Sequence, residues 1–272
     1  MKTVNSISGG KTSAYIAANY KADYNVFALV RTDDKSCIYP DAKVRQIVSD
    51  KLGTEFIGTL EDDVIINTIL DLEQFIGQEI HWVTGKTFDD VIKYKSGYLP
   101  NKIARYCTTE MKTMPILYWV YNLIKEPVTM RFGYRAKTML AKTDEEGFTK
   151  VKATFTKLKN GRNSWQEVRY CKPEFPLIKD NIYRDNIEEY WKEKPVRFAY
   201  MNNCIGCHWR SPLLLKKMSD RHPNKMKWFA DQETKHSRWR SDVMYKDVIK
   251  WKTQTELFET DFTECDSGYC GL

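Results

Sequence analysis

Residues 5–20 read NSISGGKTSAYIAANY, and the glycine pair inside this stretch decides the predicted fold. Residues 3–7 predict a short strand, and residues 8–10 predict a tight turn in which the backbone can approach a ligand closely. From Lys11 onward, small apolar residues recur at helical spacing. A strand, a glycine turn and a helix start bring N–H groups and the positive end of the helix dipole to one place. The stretch therefore predicts a phosphate-binding loop, with an ordinary glycine turn of an α/β protein as the alternative.

The loop is not a Walker A loop. That pattern needs a glycine, four spacers and then Gly-Lys followed by Ser or Thr. Residues 10–12 supply the end of the pattern, but Asn5 stands where the first glycine is required. Ser8, Thr12 and Ser13 nevertheless add hydroxyl donors to the predicted turn.

Strand and helix signals alternate along the first half of the chain. Further strands are predicted at 26–30, 54–57, 80–83 and 128–132, and helices at 41–52, 62–75, 87–95 and 111–124. This alternation predicts a doubly wound parallel sheet of the α/β class. In such sheets the ligand binds at the carboxyl ends of the strands, which is where the glycine loop lies.

The alternation stops at Ala136. Residues 137–172 are rich in Lys and Thr and contain Asn-Gly at 160–161, so we predict an inserted β-hairpin there. A further helix is predicted at 182–192, and the chain from Asn202 onward reads as helical and basic. We therefore expect a nucleotide-binding α/β domain at 1–200 and a Cys-rich helical C-terminal subdomain at 201–272.

Composition narrows the class of protein. The 272 residues include no apolar run near the roughly 20 that a membrane helix needs, and the N-terminus has no apolar leader. We therefore expect a cytoplasmic protein with no membrane partner. The net charge of +7 suits an anionic ligand but is too small to indicate nucleic-acid binding by itself. The seven cysteines are odd in number, which favours free, metal-bound or catalytic thiols over disulfides in a reducing compartment.

Four segments, in chain order, resemble the adenine-nucleotide α-hydrolase superfamily. They are SGGKTS at 8–13, LPNKIARYCTTEMKTMP at 99–115, RFGYRAKT at 131–138, and EFPLIKDNIYRDNIEEYW at 174–191 with the NNCIGCHW that follows it. The matching patterns are Ser-Gly-Gly-x-Asp-Ser, Arg-x-Cys-Thr-x-x-x-Lys, Gly-x-Arg-Ala-x-Glu, and a Pro-Leu helix with Cys-x-x-Cys. The branch that looks most similar is the PAPS (phosphoadenosine phosphosulfate) reductase family, especially its phage-type and DNA-sulfur-modification relatives.

Two departures from the family pattern bear on the chemistry. Thr12 stands where the family loop has aspartate, and Lys137-Thr138 stands where the family has glutamate after Arg-Ala. Because a loop carboxylate would help to hold Mg²⁺, its absence favours transfer from an already activated nucleotide over ATP-dependent chemistry. Mg²⁺ therefore stays an optional cofactor.

The resemblance implies roles for the polar residues of these segments. The terminal phosphates, or a sulfate in their place, would be held by Ser8, Gly9, Gly10, Lys11, Thr12 and Ser13. Charge on the phosphoryl oxygens would be neutralised by Arg105 and by two catalytic cations, Lys112 and Arg135; surface ion pairs are the alternative. Asp33 would lie near the adenosine, or else in a solvated turn.

The cysteines divide into candidate ligands and a candidate nucleophile. Cys204 and Cys207 have metal-type spacing, with buried thiols or a redox dithiol as alternatives. The resemblance implies a 4Fe-4S cluster on Cys107, Cys204 and Cys207, with Cys270 as fourth ligand; zinc or no metal remain open. The family ends in Glu-Cys-Gly-Leu-His, whose Cys is the nucleophile; Cys265 follows Thr-Glu and Cys270 precedes Gly-Leu, so either tail cysteine matches part of it. We assign Cys265 as catalytic and Cys270 as the ligand, with the reverse assignment open. Cys37 and Cys171 are expected to be bystanders, and His208 to be structural or solvent-facing.

Taken together, these residues predict an enzyme that binds ATP, APS (adenosine phosphosulfate) or PAPS. The expected reaction is thiol-dependent reduction of a sulfonucleotide, with a thioredoxin-type protein as the reductant. One alternative is ATP-dependent adenylation for sulfur insertion into nucleic acid, for which residues 209–250 offer a basic face, although an ordinary solvated face is equally compatible. The other alternative is a nucleotide-sensing or DNA-associated module without turnover.

Overall fold

The computed structural model describes residues 1–133 and 143–252. Its strands are β1 (Thr3–Ile7), β2 (Tyr24–Leu29), β3 (Arg31–Thr32), β4 (Gly58–Thr59), β5 (Ile80–Thr84), β6 (Val128–Arg131), β7 (Lys150–Lys157), β8 (Asn163–Arg169) and β9 (Cys171–Glu174). Its α-helices are α1 (Lys11–Asn19), α2 (Ala42–Leu52), α3 (Val64–Ile76), α4 (Phe88–Tyr94), α5 (Tyr106–Thr108), α6 (Met114–Trp119), α7 (Pro176–Lys179), α8 (Arg184–Trp191), α9 (Pro212–Arg221), α10 (Pro223–Asp231) and α11 (Tyr245–Lys250).

A five-stranded parallel sheet forms the centre of the molecule. Its strand order is β5-β2-β1-β6-β9, and every neighbouring pair is parallel. The glycine-loop strand β1 is therefore the middle strand, flanked by β2 and β6. The predicted α/β class with a parallel sheet is confirmed.

Each face of the sheet is covered by its own apolar core. Ile7, Phe27 and Leu29 pack with apolar residues of α1, α2, α3 and α8. Val4 and Val26, on the opposite face, pack with residues of α6 and of β6. Side chains alternate along a strand, so both faces of β1 and β2 are buried, and residues 26–29 of β2 read as a continuous apolar run. Cover on both faces is compatible with the doubly wound arrangement.

One predicted strand is wrong, and three short strands were missed. Residues 54–57, predicted as a strand, precede β4, which pairs antiparallel with β3 outside the central sheet; neither of these two-residue strands was predicted. In the central sheet the missed strand is β9, whose first two residues had been assigned to the predicted hairpin. β9 pairs with β6 at the edge of the sheet, where Pro173 is tolerated because an edge strand need not donate every N–H. The alternation of apolar residues is too short in a four-residue strand to be visible in sequence.

The hairpin region contains an antiparallel pair. β7 and β8 pair within the predicted 137–172 stretch, with a register shift between Thr154 and Lys157. Ala153 is fully buried in the core beside α6, so one side of the pair packs on the sheet domain. Cys171 and Lys172 lie in β9 instead of in the hairpin.

The C-terminal helices share a third core with the first half of the chain. Residues of α9, α10 and α11 pack with Val30, Leu60 and Phe88. This core lies past the carboxyl end of β2, since Val30 directly follows that strand. Residues 201–252 therefore pack at the carboxyl ends of the parallel strands, where the glycine loop also lies. Among the described helices, none combines the length and the apolar character needed to cross a membrane.

Candidate functional site

The glycine loop connects β1 to α1 and is held by its own short-range hydrogen bonds. The Ser8 N–H donates to Ser13 Oγ at 3.0 Å, and Ser13 Oγ donates to the Gly10 carbonyl at 3.1 Å. Ser8 Oγ lies 3.1 Å from Ser13 Oγ. Gly9 has a φ of 78°, a conformation that residues with a Cβ rarely adopt. The sequence SGGKTS thus folds locally into a compact turn.

The electrostatics of this turn favour an anion. α1 has nine residues, no acidic side chain in its first turn, and begins at the carboxyl end of a parallel strand. The first N–H groups of a helix have no acceptor within the helix, and they carry the positive end of its dipole. The start of α1 is consequently suited to bind a phosphate or sulfate group.

Both loop glycines are in close contact with other segments. A Cβ on Gly10 would lie 2.2 Å from Nδ2 of Asn202, and a Cβ on Gly9 would lie 2.5 Å from a methyl carbon of Ile65. Backbone conformation therefore favours glycine at Gly9, whereas at Gly10, with a φ of −99°, a larger residue would have to displace the Asn202 amide. Asn202 was not predicted as a site residue; it places the segment before the Cys-x-x-Cys pair directly against the glycine loop.

Lys11, predicted to help hold a phosphate, forms an ion pair in this structure. Its Nζ forms an ion pair with Glu188 of α8, and its carbonyl accepts a hydrogen bond of 2.9 Å from Trp191 Nε1. The side chain thus joins α1 to α8 in this structure. The neighbouring Thr12 packs near Gly133, where a Cβ would lie 3.0 Å from Thr12 Cγ2.

Lys112 lies between the loop and the cysteines. It follows Cys107 along a helical stretch in which residues Thr109–Thr113 form a π-helical turn. Such turns often occur at functional sites. Lys112 lines a cavity of about 40 Å³ together with Ser8, and it also lines a second pocket that contains the cysteines. One mostly buried cation therefore borders both candidate subsites.

The ion partner of Lys112 was missed by the sequence analysis. Lys112 Nζ lies 2.9 Å from Oε1 of Glu61, whose side chain is 1% exposed. Glu61 also forms a β-bridge with Cys204, so it links the lysine to the Cys-x-x-Cys segment. The run Glu-Asp-Asp before an apolar helix resembles an ordinary helix start in sequence, and only the packing of 202–207 against it reveals the connection.

The rest of this acidic run is held by α10 and its flank. Lys225 Nζ donates to the Glu61 carbonyl and to Asp63 Oδ1, both at 2.7 Å. His222 Nε2 lies 3.2 Å from Asp62 Oδ2. Burial by itself would raise the pKa of Asp62, but hydrogen bonds from His222 and from the Val64 N–H hold that pKa below its usual range. The three acidic residues are therefore held in fixed positions by α10 and by His222, next to the site.

A second pocket brings the predicted ligands together. Cys107, Cys204 and Cys207 all line one pocket of about 40 Å³, and so do Arg105 and Lys112. The Arg105 guanidinium lies 5.4 Å from the centre of the Trp209 ring. Three predicted cluster ligands and two cations predicted to contact phosphoryl oxygens thus line one pocket, although they come from two distant segments of the chain.

Buried side chains fix the Cys-x-x-Cys turn. Arg210 is fully buried and donates to the carbonyls of Asn202 at 2.6 Å and Cys204 at 3.1 Å. The Tyr245 hydroxyl donates to the Gly206 carbonyl at 3.1 Å, and a Cβ on Gly206 would lie 2.3 Å from the Phe229 ring. The turn is therefore shaped by residues from α10, α11 and the segment that follows the turn.

His208 is 4% exposed, so the structural alternative holds and the solvent-facing one is wrong. Burial and the nearby cations Arg105, Arg240 and Lys102 lower the pKa of His208 to about 4. The imidazole is consequently neutral at pH 7. Its Nε2 is buried and has no hydrogen-bond partner among the described residues.

The remaining predicted residues have diverse placements. Asp33 is exposed after β3, and the adjacent Asp34 caps a short helical turn by accepting from the Ser36 N–H. Cys37 and Cys171 are buried away from the pocket, and burial raises the pKa of both thiols, in Cys171 to about 12. A raised pKa makes a thiol unreactive, in keeping with the bystander role. Arg135, Cys265 and Cys270, which were predicted as site residues, lie outside the described residues.

The sulfur atoms of the three cysteines are of the type that binds a thiolate-ligated metal group. Three thiols line one pocket, and thiolate sulfur is the usual ligand of iron–sulfur clusters and of structural zinc. Within residues 1–133 and 143–252, however, no group of three or more His, Cys, Asp or Glu side chains is arranged to hold a metal ion. The predicted 4Fe-4S cluster therefore stays a prediction.

Comparison with known proteins adds no identification. The chain matches no protein-family model, no curated protein and no solved structure.

Proposed function

We propose that the protein is an enzyme that binds an adenine nucleotide bearing a sulfuryl or activated phosphoryl group and acts on it with thiol chemistry. The observation that carries the proposal is the position of Lys112, which borders both the cavity next to Ser8 and the pocket lined by three cysteines. A phosphate loop and a set of thiols that share one cation form a single candidate active site.

The phosphates of the nucleotide would bind at residues 8–13. The N–H groups at the start of α1 and the hydroxyls of Ser8 and Thr12 are the donors there. The adenosine would extend toward the carboxyl end of β2, near Asp33. This arrangement agrees with the rule that ligands bind outside the carboxyl ends of parallel strands.

Lys112 and Arg105 would stabilise charge that develops on the transferred group. A lysine ammonium in a mostly buried site acts as a fixed positive charge, and Glu61 keeps it in place at 2.9 Å. Arg105 reaches the same pocket from the start of α5 and is oriented by the Trp209 ring. Arg135 would add a third cation, as predicted from the sequence.

The reaction that fits best is reduction of a sulfonucleotide. A cysteine thiolate, predicted to be Cys265, attacks the sulfur atom of the sulfate, the bond from sulfur to the phosphate oxygen breaks, and the nucleoside phosphate leaves. The enzyme then holds a cysteine S-sulfonate. A dithiol of a thioredoxin-type protein attacks the cysteine sulfur, sulfite leaves, and the second thiol of that protein closes its own disulfide and releases the enzyme thiol.

The residues that would hold a 4Fe-4S cluster are Cys107, Cys204 and Cys207, with Cys270 as the fourth ligand. A bound cluster would tie the segments that carry these cysteines together next to the substrate sulfate. The chain itself supplies binding and charge: Lys112 neutralises the substrate anion, and the loop orients its phosphates.

Isothermal titration with ATP, APS and PAPS tests the binding part of the proposal. We expect wild-type protein to bind at least one of the three, and Gly10→Ala to weaken that binding at least tenfold. The added methyl would collide with Asn202, displacing either the loop backbone or the amide from its position.

The matched control is Gly161→Ala in the β7–β8 turn, where an added methyl meets no atom within 4 Å and the φ of 79° confines any strain to that remote turn. It should keep wild-type affinity, and circular dichroism should report folded protein for both variants. Failure of wild-type protein to bind any of the three nucleotides would overturn the proposal, as would equal affinities for folded Gly10→Ala and wild type.

A coupled assay separates reduction from adenylation. With a thioredoxin system and PAPS or APS, the proposal expects release of sulfite, and with ATP and Mg²⁺ it expects little pyrophosphate. Rapid pyrophosphate release without sulfite would favour ATP-dependent adenylation for sulfur insertion into nucleic acid.

A further inference from the structure

A cationic groove lies next to the cysteine pocket and takes no part in the function proposed above. Its volume is about 590 Å³. One wall is the segment from Tyr98 to Ile103, the other wall is the segment from Lys235 to Asp242, and Trp239 lines both this groove and the cysteine pocket. The groove therefore opens beside the thiols instead of on a remote surface.

The charges of the groove are predominantly positive. Lys102, Lys235 and Arg238 are exposed along it, and none of the three has an acidic side chain within ion-pair distance among the described residues. The only carboxylate that lines it within the described chain, Asp242, is engaged by Arg240, which also donates to two backbone carbonyls. The groove thus presents three cations to solvent. Its one carboxylate among the described residues is already paired and would not repel an anion strongly.

The first wall is an ordered loop with exposed apolar side chains. Asn101 Oδ1 accepts from the N–H groups of Ile103 and Ala104, and Asn101 Nδ2 donates to the Tyr98 hydroxyl at 3.2 Å. These bonds hold Tyr98 and Ile103 in place while 51% and 97% of their surfaces remain exposed. Both side chains are therefore accessible to a ligand that lies in the groove.

The second wall is equally well fixed. Ser237 Oγ accepts from the Leu99 N–H at 2.8 Å, which joins the two walls directly. Thr234 Oγ1 accepts from the Ser237 N–H, and the fully buried Trp239 donates to the Phe229 carbonyl at 2.7 Å. The cations therefore project from a rigid frame, so an extended ligand would lose little freedom in the protein on binding.

We infer that this groove binds single-stranded nucleic acid. A cationic channel that follows the phosphate backbone, combined with an aromatic ring on which a base can stack, is the usual arrangement for binding single strands without sequence preference. Lys102, Lys235 and Arg238 supply the backbone contacts, and Tyr98 supplies the ring. A strand bound there would pass beside Trp239, next to the pocket of the three cysteines.

Fluorescence anisotropy with a labelled oligo-dT of about 20 nucleotides tests the inference on the full chain, since sites of this kind cover roughly 4–16 nucleotides. We expect wild-type protein to bind the oligonucleotide more tightly than a duplex of equal length. The variant Lys102→Gln/Lys235→Gln/Arg238→Gln should lose at least tenfold in affinity. Its slope of log affinity against log salt should be shallower by about 2, because three phosphate contacts are removed.

A matched variant controls for net charge. Lys152→Gln/Lys157→Gln/Lys159→Gln removes three exposed lysines from the β7–β8 region and should keep affinity and salt slope close to wild type. Tyr98→Leu, which keeps an apolar side chain but removes the ring, should lose about tenfold, as expected for one stacked base.

Several outcomes would overturn the inference. They are no measurable binding by wild-type protein, an equal loss in both triple variants, or tighter binding of the duplex. Competition by polyglutamate at the same charge concentration as the oligonucleotide would assign the groove to an acidic polypeptide instead.

Discussion

The glycine loop and the cysteine turn are neighbours in the structure but are built in opposite ways. The loop at 8–13 is held mainly by bonds between Ser8, Gly10 and Ser13, which lie within six residues of one another. The turn at 204–207 is held by Arg210, by Tyr245 about forty residues away, and by the Phe229 ring. A local motif can keep its shape when distant packing changes, whereas the turn depends on the C-terminal helices. Asn202, which touches Gly10, is where the two regions meet.

The comparison predicts that a metal group binds at the cysteine turn and not at the glycine loop. Protein purified without oxygen should show a broad absorbance near about 400 nm, as thiolate-bound iron does. Cys204→Ser should abolish that absorbance and the bound iron, because serine replaces a thiolate ligand. Cys171→Ser, at a buried cysteine of β9, is the control and should retain both.

The same measurement of bound iron can be made on variants of the two tail cysteines. Cys270→Ser should lose iron, while Cys265→Ser should keep iron and lose turnover, following the assigned roles of ligand and nucleophile. Wild-type protein without iron would contradict the cluster, and loss of iron in Cys265→Ser alone would exchange the two roles.

The largest expected effect on stability also lies in the turn. Arg210→Met removes a buried guanidinium, which takes the side-chain donor from the Asn202 carbonyl and leaves the Cys204 carbonyl with the Cys207 N–H as donor. Charged hydrogen bonds of this kind are worth about 1.5–3 kcal/mol each, so the free energy of unfolding should fall by about 3 kcal/mol. Urea denaturation measures the loss, and Arg162→Met at the exposed end of the hairpin should change stability by less than about 0.5 kcal/mol.

The nucleotide affinity of Arg210→Met shows whether the two regions are independent. Because the loop has its own hydrogen bonds, we expect affinity for the nucleotide to stay within about threefold of wild type, well below the tenfold that 1.4 kcal/mol would give. A loss comparable to that of Gly10→Ala would mean that Asn202 transmits the damage and that the loop is not locally determined.

A smaller effect on stability is expected at the ion pair between Asp71 and Arg197, which precedes the cysteine turn in the chain. Asp71 of α3 accepts from Arg197 Nε and Nη2, both at 2.7 Å, and these bonds lower the pKa of Asp71. An acid with a lowered pKa in the folded state adds stability above its unfolded pKa, near 3.9, and loses it as the pH falls toward the folded value.

Asp71→Asn should therefore cost up to about 1 kcal/mol at pH 7, and the difference from wild type should shrink below about pH 4. Thermal melts at both pH values measure it, with Asp50→Asn on the exposed side of α2 as the control. A difference that grows on acidification would show that the Asp71–Arg197 pair does not stabilise the fold as described.

Local sequence signals were enough for much of the α/β domain. Strand-forming segments in the sequence identified β1, β2, β5 and β6. Apolar residues at helical spacing, with residues that begin and end helices, identified α2, α3 and α4. Asp41 caps α2 and Gly53 ends it with a φ of 64°, both as the sequence indicates. The signals failed for β9 and β4, because strands of four and two residues carry no readable periodicity and are decided by which neighbour they pair with.

The sequence by itself determined the conformation of the glycine loop, because glycine conformation, serine hydroxyls and a helix start act over a few residues. It also singled out Lys112 and the cysteines as candidate site residues. Only the tertiary structure decided how they meet: Glu61 beneath Lys112, Asn202 against Gly10, and Arg210 within the turn. Such contacts join segments far apart in the chain, and a buried ion pair or a packed amide has no local pattern. The cationic groove has the same origin, since its two walls are separated by more than a hundred residues.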